Sequence, residues 1–188
     1  MSNTPLALNS LIQQIENGLQ LNLKDEKLIH YFLPEFRKLL SNPDWLDHEF
    51  RQPDPQYYQQ YLLYKDPDNQ FSIVSFVWGP AQSTPIHNHE VWGVVGVLQG
   101  SEISQRYQFE NGLFQQTEHA DKLNQGDIDY FTPTDGDVHK VSNAFNDQVS
   151  ISIHIYGADI GKVKRFTFDQ QGNKKQFISG YSNKEFKK

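Results

Sequence analysis

Three histidines are the residues of this chain whose type and spacing point most directly to chemistry. His87 and His89 are separated by one residue at the start of a strand-like run, and His139 lies in a separate segment downstream. A β-strand points residues i and i+2 to the same face, so His87 and His89 are expected to place two imidazoles on one metal ion. Glu90 is expected on the opposite face. The pattern predicts a metal site to which His139 contributes the third imidazole.

Such a site is compatible with more than one reaction. A facial set of three histidines leaves up to three coordination positions of a metal open. Two positions can take a chelating substrate and one can take O₂, as a mononuclear iron oxygenase requires, and the uncompensated charge of the ion favours an anionic ligand such as a thiolate. Zinc on the same residues would favour hydrolysis. The ligand types do not distinguish iron from zinc, because such a site has the higher affinity for zinc and the supply of metals in the cell decides which ion is bound.

A second candidate group lies on the segment Ser150 to Tyr156, which alternates between aliphatic and polar residues. Its three isoleucines share one face, and Ser152, His154 and Tyr156 share the other. The aliphatic face is expected to pack in a core, so the polar face is expected to point toward the histidines. There Ser152 can hydrogen-bond to His154, which can orient the Tyr156 hydroxyl toward the metal. The alternative is a half-exposed strand with its polar residues outward.

Helices are predicted for the first 50 residues. Apolar residues recur with helical spacing after Asn9-Ser10, a candidate N-cap, and again after Asp25, a second candidate cap. Pro34 is expected to divide the second segment into two short helices or to start a new one. The helices are expected to cover the rest of the fold.

From residue 56 to about residue 180 the pattern changes to short strands separated by turn signals such as Asn111-Gly112. Many short strands at regular spacing indicate a sandwich or barrel, and the prediction is a mainly β chain folded as an antiparallel double-stranded β-helix. The expected strands cover residues 57–64, 71–78, 87–98, 102–109, 113–118, 127–131, 138–143, 149–156, 164–168 and 175–178.

Composition narrows the functional classes. The 188 residues suit a single domain over 1–188. A net charge of −6 disfavours nucleic acid as a partner, and a mean hydropathy of −0.68 without a run of ~20 apolar residues disfavours a membrane span. The chain has no cysteine, and its N-terminus lacks the pattern of a secretory signal, so the expected location is cytoplasmic. The oligomeric state is not predicted.

Two segments resemble the two short motifs of the cupin superfamily, whose members are jelly-roll barrels with a metal in the lumen. The first runs from Gly79 through His87-Asn-His89 to Gly100. The second contains Gly126, Pro133, Gly136, His139 and Asn143. The first motif usually has a Glu a few residues after the histidine pair, and this chain has Val91-Trp92-Gly93-Val94 in that region. The resemblance therefore implies a three-histidine cupin.

The histidines together with Ser152-x-His154-x-Tyr156 resemble the cysteine dioxygenase family of thiol dioxygenases, from about residue 57 to residue 157 and more loosely over the whole chain. This resemblance implies that the three histidines bind Fe(II), that O₂ oxidises a thiol to a sulfinic acid, and that the Ser-His-Tyr group forms an outer-sphere relay. In animal members a cysteine near the metal is cross-linked to the tyrosine. The matching position is Gly93, so the resemblance implies no cross-link here.

The resemblance also bears on the substrate. Animal members use an Arg on an early strand to hold a carboxylate, and Gln60 matches that position. Bacterial relatives that include 3-mercaptopropionate dioxygenases use an Arg nine residues past the tyrosine, which corresponds to Arg165. The alternatives are that Arg165 belongs to a basic surface run, or that Arg106 holds the carboxylate. Trp78 and Trp92 are expected in the core.

The expected substrate is a small thiol carboxylate with O₂ as co-substrate, and cysteine and 3-mercaptopropionate both stay open. A non-enzymatic cupin that binds a metal or small ligand, and a three-histidine zinc hydrolase or isomerase, are the alternative functions.

Overall fold

Two antiparallel sheets form the body of the computed structural model, which describes residues 5–133 and 137–183. Gly136 of the second motif lies outside the described residues. The strands are β1 (Gln59–Lys65), β2 (Ser72–Trp78), β3 (Ile86–His87), β4 (Gly93–Gln99), β5 (Ser101–Glu110), β6 (Leu113–Asn124), β7 (Ile128–Phe131), β8 (His139–Asn143), β9 (Ser150–Tyr156), β10 (Arg165–Phe168) and β11 (Lys174–Phe177). One sheet has the strand order β1-β2-β9-β4-β7 and the other β11-β10-β3-β8-β5-β6.

The non-consecutive strand order within both sheets is that of a double-stranded β-helix, so the predicted fold class is confirmed. In the first sheet β9 lies between β2 and β4, and in the second β8 lies between β3 and β5. The strand prediction for residues 113–118 was too short, because β6 continues to Asn124 as the partner of β5.

Two helices precede the sheets, as predicted: α1 (Asn9–Gln20) and α2 (Asp25–Leu40). The predicted caps were wrong. Asn9 and Asp25 are the first helical residues, and the capping positions are Leu8 and Lys24, neither of which makes a side-chain capping hydrogen bond. Short 3-10 turns occupy Leu6–Leu8, Pro43–Trp45, His48–Arg51 and Ile160–Lys162. Among the described residues, no helix is long and apolar enough to cross a bilayer.

Pro34 does not divide the second helix, contrary to the prediction. It lies inside the continuous helix α2, although a proline in a helix interior removes one backbone hydrogen bond and costs about 3 kcal/mol. Leu33 and Phe36 on either side of it are buried, and Phe36 is fully enclosed. The packing of this apolar face against the sheet offsets the local cost.

The helices cover the outer face of the first sheet. A Cβ atom built on Gly96 would lie 2.4 Å from Leu40 and 2.7 Å from Phe36, so glycine at this position allows α2 to approach β4. The isoleucines of β9 pack in this same outer core. The polar residues of β9 therefore face the interior of the barrel, together with Val74, Val95 and Val141, which belong to a second core cluster.

The predicted strand over residues 87–98 is interrupted. β3 ends at His87 and β4 begins at Gly93, and between them Glu90 adopts a φ of +63°. The carboxylate of Asp137 accepts hydrogen bonds from the backbone nitrogens of His89 and Glu90, which replaces strand pairing in this loop. The argument that His87 and His89 share one strand face was therefore wrong. The loop still brings the His89 ring beside that of His87.

Candidate metal centre and active site

His87, His89 and His139 lie at the corners of an almost equilateral triangle inside the barrel. Their ring centroids are 4.8, 4.9 and 4.9 Å apart, and one potential ligand atom from each lies within 4.8 Å of the other two. His87 on β3 is paired directly with His139 on β8. All three side chains are buried. The sheet register places two of the rings, and the Asp137-bound loop places the third.

Hydrogen-bond partners orient two of the three rings. Nδ1 of His87 donates to the Pro85 carbonyl at 3.0 Å, and Nδ1 of His139 lies 3.3 Å from the hydroxyl of Ser104. Nδ1 of His89 lies 3.5 Å from the Asp137 carboxylate, outside normal hydrogen-bond geometry. The Nδ1 contacts of His87 and His139 leave Nε2 of those rings free to coordinate a metal, the arrangement that metal-binding histidines use. Nδ1 of His89 has no hydrogen-bond partner among the described residues.

Burial makes these imidazoles suitable as ligands. It lowers the pKa of His87 to about 4, and the same desolvation, with repulsion from neighbouring rings, holds the pKa values of His89 and His139 well below the ordinary value. A metal binds the neutral form of histidine. Three neutral rings with free Nε2 atoms fit a divalent ion of the borderline class that contains Fe(II) and Zn²⁺.

A cavity of about 260 Å³ opens onto the three histidines. Its lining combines aromatic, aliphatic and cationic side chains and, among the described residues, contains no carboxylate. Apart from the three histidines, it is lined by Tyr58, Gln60, Phe76, Trp78, Thr84, Pro85, Val95, Val141, His154, Tyr156, Arg165, Thr167, Lys175 and Phe177.

The three polar side chains of β9 form a continuous hydrogen-bonded chain. Oγ of Ser152 lies 2.8 Å from Nε2 of His154, and Nδ1 of His154 lies 2.8 Å from the Tyr156 hydroxyl. The His154 ring stacks on Phe76 at 4.0 Å, which fixes its orientation. Burial lowers the pKa of His154 to about 3 and raises the pKa of Tyr156 far above its ordinary value, so both groups stay neutral near pH ~7.

Arg165 lies inside the cavity and not in a surface run, with 3% of its side chain exposed. One guanidinium nitrogen donates to Ser179 at 2.7 Å, and the group lies 4.8 Å from the centre of the Phe177 ring. Its Nε is buried without a hydrogen-bond partner, and no acidic residue of the described chain forms an ion pair with it. The structure thus leaves a buried cation with an unused donor beside the histidines.

Gln60 lines the same cavity from β1, whereas Arg106 does not. The backbone of Gln60 is held by Ser182 in two hydrogen bonds of 2.8 Å. Arg106 binds the Asp129 carboxylate at 3.1 Å and is absent from the cavity lining. Of the two arginines considered from the sequence, Arg165 lines the cavity, whereas Arg106 pairs with His139 across the sheet and directs its guanidinium to Asp129.

Gly93 is the position matched to the cross-linking cysteine of animal enzymes. The space that a side chain would occupy there is filled by a neighbouring aromatic ring. A Cβ atom at Gly93 would lie 2.2 Å from the ring of Phe131. Phe131 in turn stacks on His89 at 4.1 Å. The absence of a side chain at residue 93 is what lets this aromatic ring support a candidate ligand.

Several residues of the site were missed or misassigned from the sequence. Trp78 is buried in the core, as expected, but it also lines the cavity, and its indole donates to Ser152 at 3.2 Å. The Tyr58 ring lies at a tilt beside Trp78, with 4.9 Å between the ring centroids, and the Asp137 carboxylate holds the histidine loop. The alternation of β2 around Phe76 could have identified Trp78, because it shares a strand face with that residue. Nothing local in the sequence identifies Asp137.

The two sheets and the buried three-histidine cluster define the chain as a cupin with a candidate metal centre. The model of the family described as cysteine dioxygenase type I matches residues 2–170. The chain therefore belongs to the cysteine dioxygenase type I family.

Solved structures show more distant similarity. An uncharacterized conserved protein with a double-stranded β-helix domain from Klebsiella pneumoniae subsp. pneumoniae is 21% identical, with 58% of this chain and 84% of that chain covered and a TM-score of 0.43. A cupin 2 conserved barrel domain protein from Salinispora arenicola is 17% identical, with 61% and 86% covered and a TM-score of 0.44. At this similarity neither structure bears on the reaction.

Proposed function

We propose that this chain is an Fe(II)-dependent thiol dioxygenase that adds both atoms of O₂ to the sulfur of a small thiol carboxylate. The observation that carries the proposal is a single cavity lined by three neutral histidines, by Tyr156 bonded to His154, and by the unpaired cation Arg165. Membership in the cysteine dioxygenase type I family supports the class of reaction.

His87, His89 and His139 would hold the iron. When bound, the iron supplies the redox chemistry that couples a thiolate to O₂. Three neutral ligands do not offset the charge of the ion, and the cavity lining adds the cations Arg165 and Lys175. This positive interior favours a dianionic substrate, one that presents a thiolate and a carboxylate together.

Arg165 is the group we assign to the substrate carboxylate. A guanidinium presents a fork of donors that matches a carboxylate, and such charge-assisted hydrogen bonds are stronger where water is excluded. Its Nε atom has no partner in the described chain, while Ser179 and the Phe177 ring hold the rest of the group in place. Gln60 adds a neutral donor to the lining of the same cavity.

The charge of the lining favours 3-mercaptopropionate over cysteine. The two molecules differ by the ammonium group of cysteine, and the described lining offers no carboxylate to pair with it. Arg165 and Lys175 would repel an ammonium group, and an uncompensated charge in a buried site is costly. We infer that 3-mercaptopropionate is the better substrate.

Tyr156 is proposed to donate a hydrogen bond to the reacting molecules. Burial keeps it protonated, and His154 fixes its position from behind. It stays free of a covalent link, because residue 93 is glycine and the chain has no cysteine.

The first experiment is O₂ uptake by iron-loaded protein, prepared without air, with 3-mercaptopropionate and with cysteine as substrates. We expect uptake with both thiols and a higher kcat/KM for 3-mercaptopropionate. A cupin that only binds metal would consume no O₂, and a zinc hydrolase or isomerase would not lose activity when zinc replaces iron. Either outcome would refute the proposal.

A further inference from the structure

Glu102 is a buried carboxyl group that the proposed reaction does not use. It is the second residue of β5 in the described chain and has no exposed surface. Neither of its oxygens makes a hydrogen bond of normal geometry with a described residue. Buried polar groups in native proteins nearly always have a partner, so an unpaired carboxyl group requires an explanation.

The groups that face Glu102 connect it to the relay on β9. Its carboxyl group faces the hydroxyl of Ser152 and the indole of Trp78, and both interactions favour its ionised form. The indole of Trp78 donates to Ser152, and Ser152 contacts His154 at 2.8 Å. Glu102 therefore lies at one end of the hydrogen-bonded series that leads through Ser152 and His154 to Tyr156. Tyr156 is the other end and lines the cavity.

The protonation state of a carboxyl group at this end has a defined consequence. A serine hydroxyl has one proton to donate. If Glu102 is ionised, Ser152 donates to it, His154 carries its proton on Nε2, and the Tyr156 hydroxyl must donate to Nδ1 of His154.

If Glu102 is protonated, every bond in the chain reverses. Glu102 then donates to Ser152, Ser152 donates to Nε2 of His154, and His154 carries its proton on Nδ1. The Tyr156 oxygen accepts this bond, so its hydroxyl proton is free to point into the cavity.

We propose that Glu102 is a positioning residue that sets the direction of the Ser152–His154–Tyr156 hydrogen bonds and so decides whether Tyr156 can donate to a molecule in the cavity. Its effect on turnover rests on the proposed dioxygenase function. Its effect on the His154 tautomer does not depend on that function.

Within this hydrogen-bonded series, Glu102 is also the group that changes charge near neutral pH. Burial raises its pKa to about 7, opposed by Ser152 and Trp78, whereas His154 stays neutral and Tyr156 stays protonated. The residues opposite it on the neighbouring strands are uncharged: Asn143 on β8 and Leu123 on β6. Tyr156 is the titratable group coupled to it, and a negative Glu102 raises the pKa of Tyr156.

The direct test is the tautomer of His154, read by ¹⁵N NMR of histidine-labelled, zinc-loaded protein from pH about 5.5 to about 8.5, a range that brackets a group titrating near neutrality. The His154 signals are assigned by their loss in His154→Asn. We expect the ring proton to lie on Nδ1 at low pH and on Nε2 at high pH. A His154 tautomer that does not change over this range would overturn the proposal.

Two variants sharpen this test. Glu102→Gln keeps the shape and places an amide donor against Ser152, so His154 should stay protonated on Nδ1 at every pH. Glu110→Gln, an exposed change on the same strand, should titrate like the wild type. A Glu102→Gln protein with the wild-type transition would contradict the proposal.

Turnover gives the second readout. With 3-mercaptopropionate, the wild-type kcat should fall about tenfold per pH unit above the pKa of Glu102, and Glu102→Gln should lack this step. An equal fall in both proteins would show that Glu102 does not act through Tyr156. If no thiol is oxidised at all, the proposed function fails, while the NMR result still decides the role of Glu102.

Discussion

The hydroxyl of Tyr156 lies 2.8 Å from Nδ1 of His154 inside the barrel. Both groups are neutral near pH ~7, because burial disfavours the charged form of each. The bond therefore fixes the position of the phenol without placing a charge beside the three histidines. Its consequences can be tested one residue at a time.

Tyr156→Phe removes the hydroxyl and keeps the ring. We expect kcat with 3-mercaptopropionate to fall about 10- to 1,000-fold, the range for loss of a positioned acid or orienting donor, while bound iron stays unchanged. Tyr107→Phe, on β5 and outside the cavity, is the matched control and should be wild type in both respects. Normal turnover in Tyr156→Phe would refute the assigned role.

His139→Ala removes one corner of the histidine triangle. The affinity for Fe(II) should fall at least about tenfold, because two imidazoles hold an ion much less tightly than three. Elemental analysis should therefore find less bound iron in this variant than in the wild type. His119→Ala changes an exposed histidine on β6 and serves as the control. Equal iron content in both variants would exclude the proposed centre.

Arg165→Ala removes the cation assigned to the carboxylate. The kcat/KM for 3-mercaptopropionate should fall at least about tenfold, equivalent to about 1.4 kcal/mol, and Arg165→Lys should recover part of the loss because it restores the charge without the fork. Arg106→Ala is the control, since Arg106 pairs with Asp129 outside the cavity. Values within about twofold of wild type for both thiols in Arg165→Ala would contradict the assignment.

Gly93→Ala tests the close contact with Phe131. A Cβ atom would lie 2.2 Å from that ring, so the substitution should reduce the free energy of unfolding by about 1–3 kcal/mol. Adding Phe131→Leu should recover much of the loss, with Phe131→Leu alone as the reference. Thermal unfolding of the four proteins gives the coupling, and strictly additive effects would show that the contact is not the cause.

Glu102→Gln should stabilise the protein at alkaline pH. The folded pKa of about 7 lies above the ordinary value of 4.5, so the folded state binds more protons than the unfolded state between these values. The contribution of Glu102 to stability is therefore full below pH about 4.5 and is lost as the pH rises through about 7.

The difference between variant and wild type should then reach about 3 kcal/mol near pH ~8 and shrink toward acid pH. Denaturant unfolding at several pH values measures it, with Glu110→Gln as the exposed control. A difference that is independent of pH would mean that the carboxyl group is not held protonated by burial.

The sequence predicted much of the fold because the alternation of β9 is unambiguous, with isoleucine on one face and polar residues on the other. It also predicted the three histidines, although for a partly wrong reason, because the strand breaks after His87 and Asp137 holds the loop. That carboxylate is distant in sequence, and its contact depends on tertiary packing.

Glu102 shows a different limit. Hydropathy would turn its neighbour Ile103 inward, yet Glu102 is fully buried and Ile103 is partly exposed. Alternating hydropathy predicts that the apolar face of a strand is buried, so it does not predict the burial of a polar residue on the inner face of a barrel. The prediction that Pro34 divides the second helix was wrong for a similar reason. The packing of the residues beside it outweighed the local preference of proline against a helix interior.

The most direct test of the central claim is a single turnover experiment under ¹⁸O₂ with iron-loaded protein and 3-mercaptopropionate. Mass spectrometry of the product should show a sulfinate that carries two ¹⁸O atoms, because both oxygens of the sulfinate come from one molecule of O₂. A product with one labelled oxygen, a disulfide, or unchanged thiol would contradict the assignment of this chain as a thiol dioxygenase.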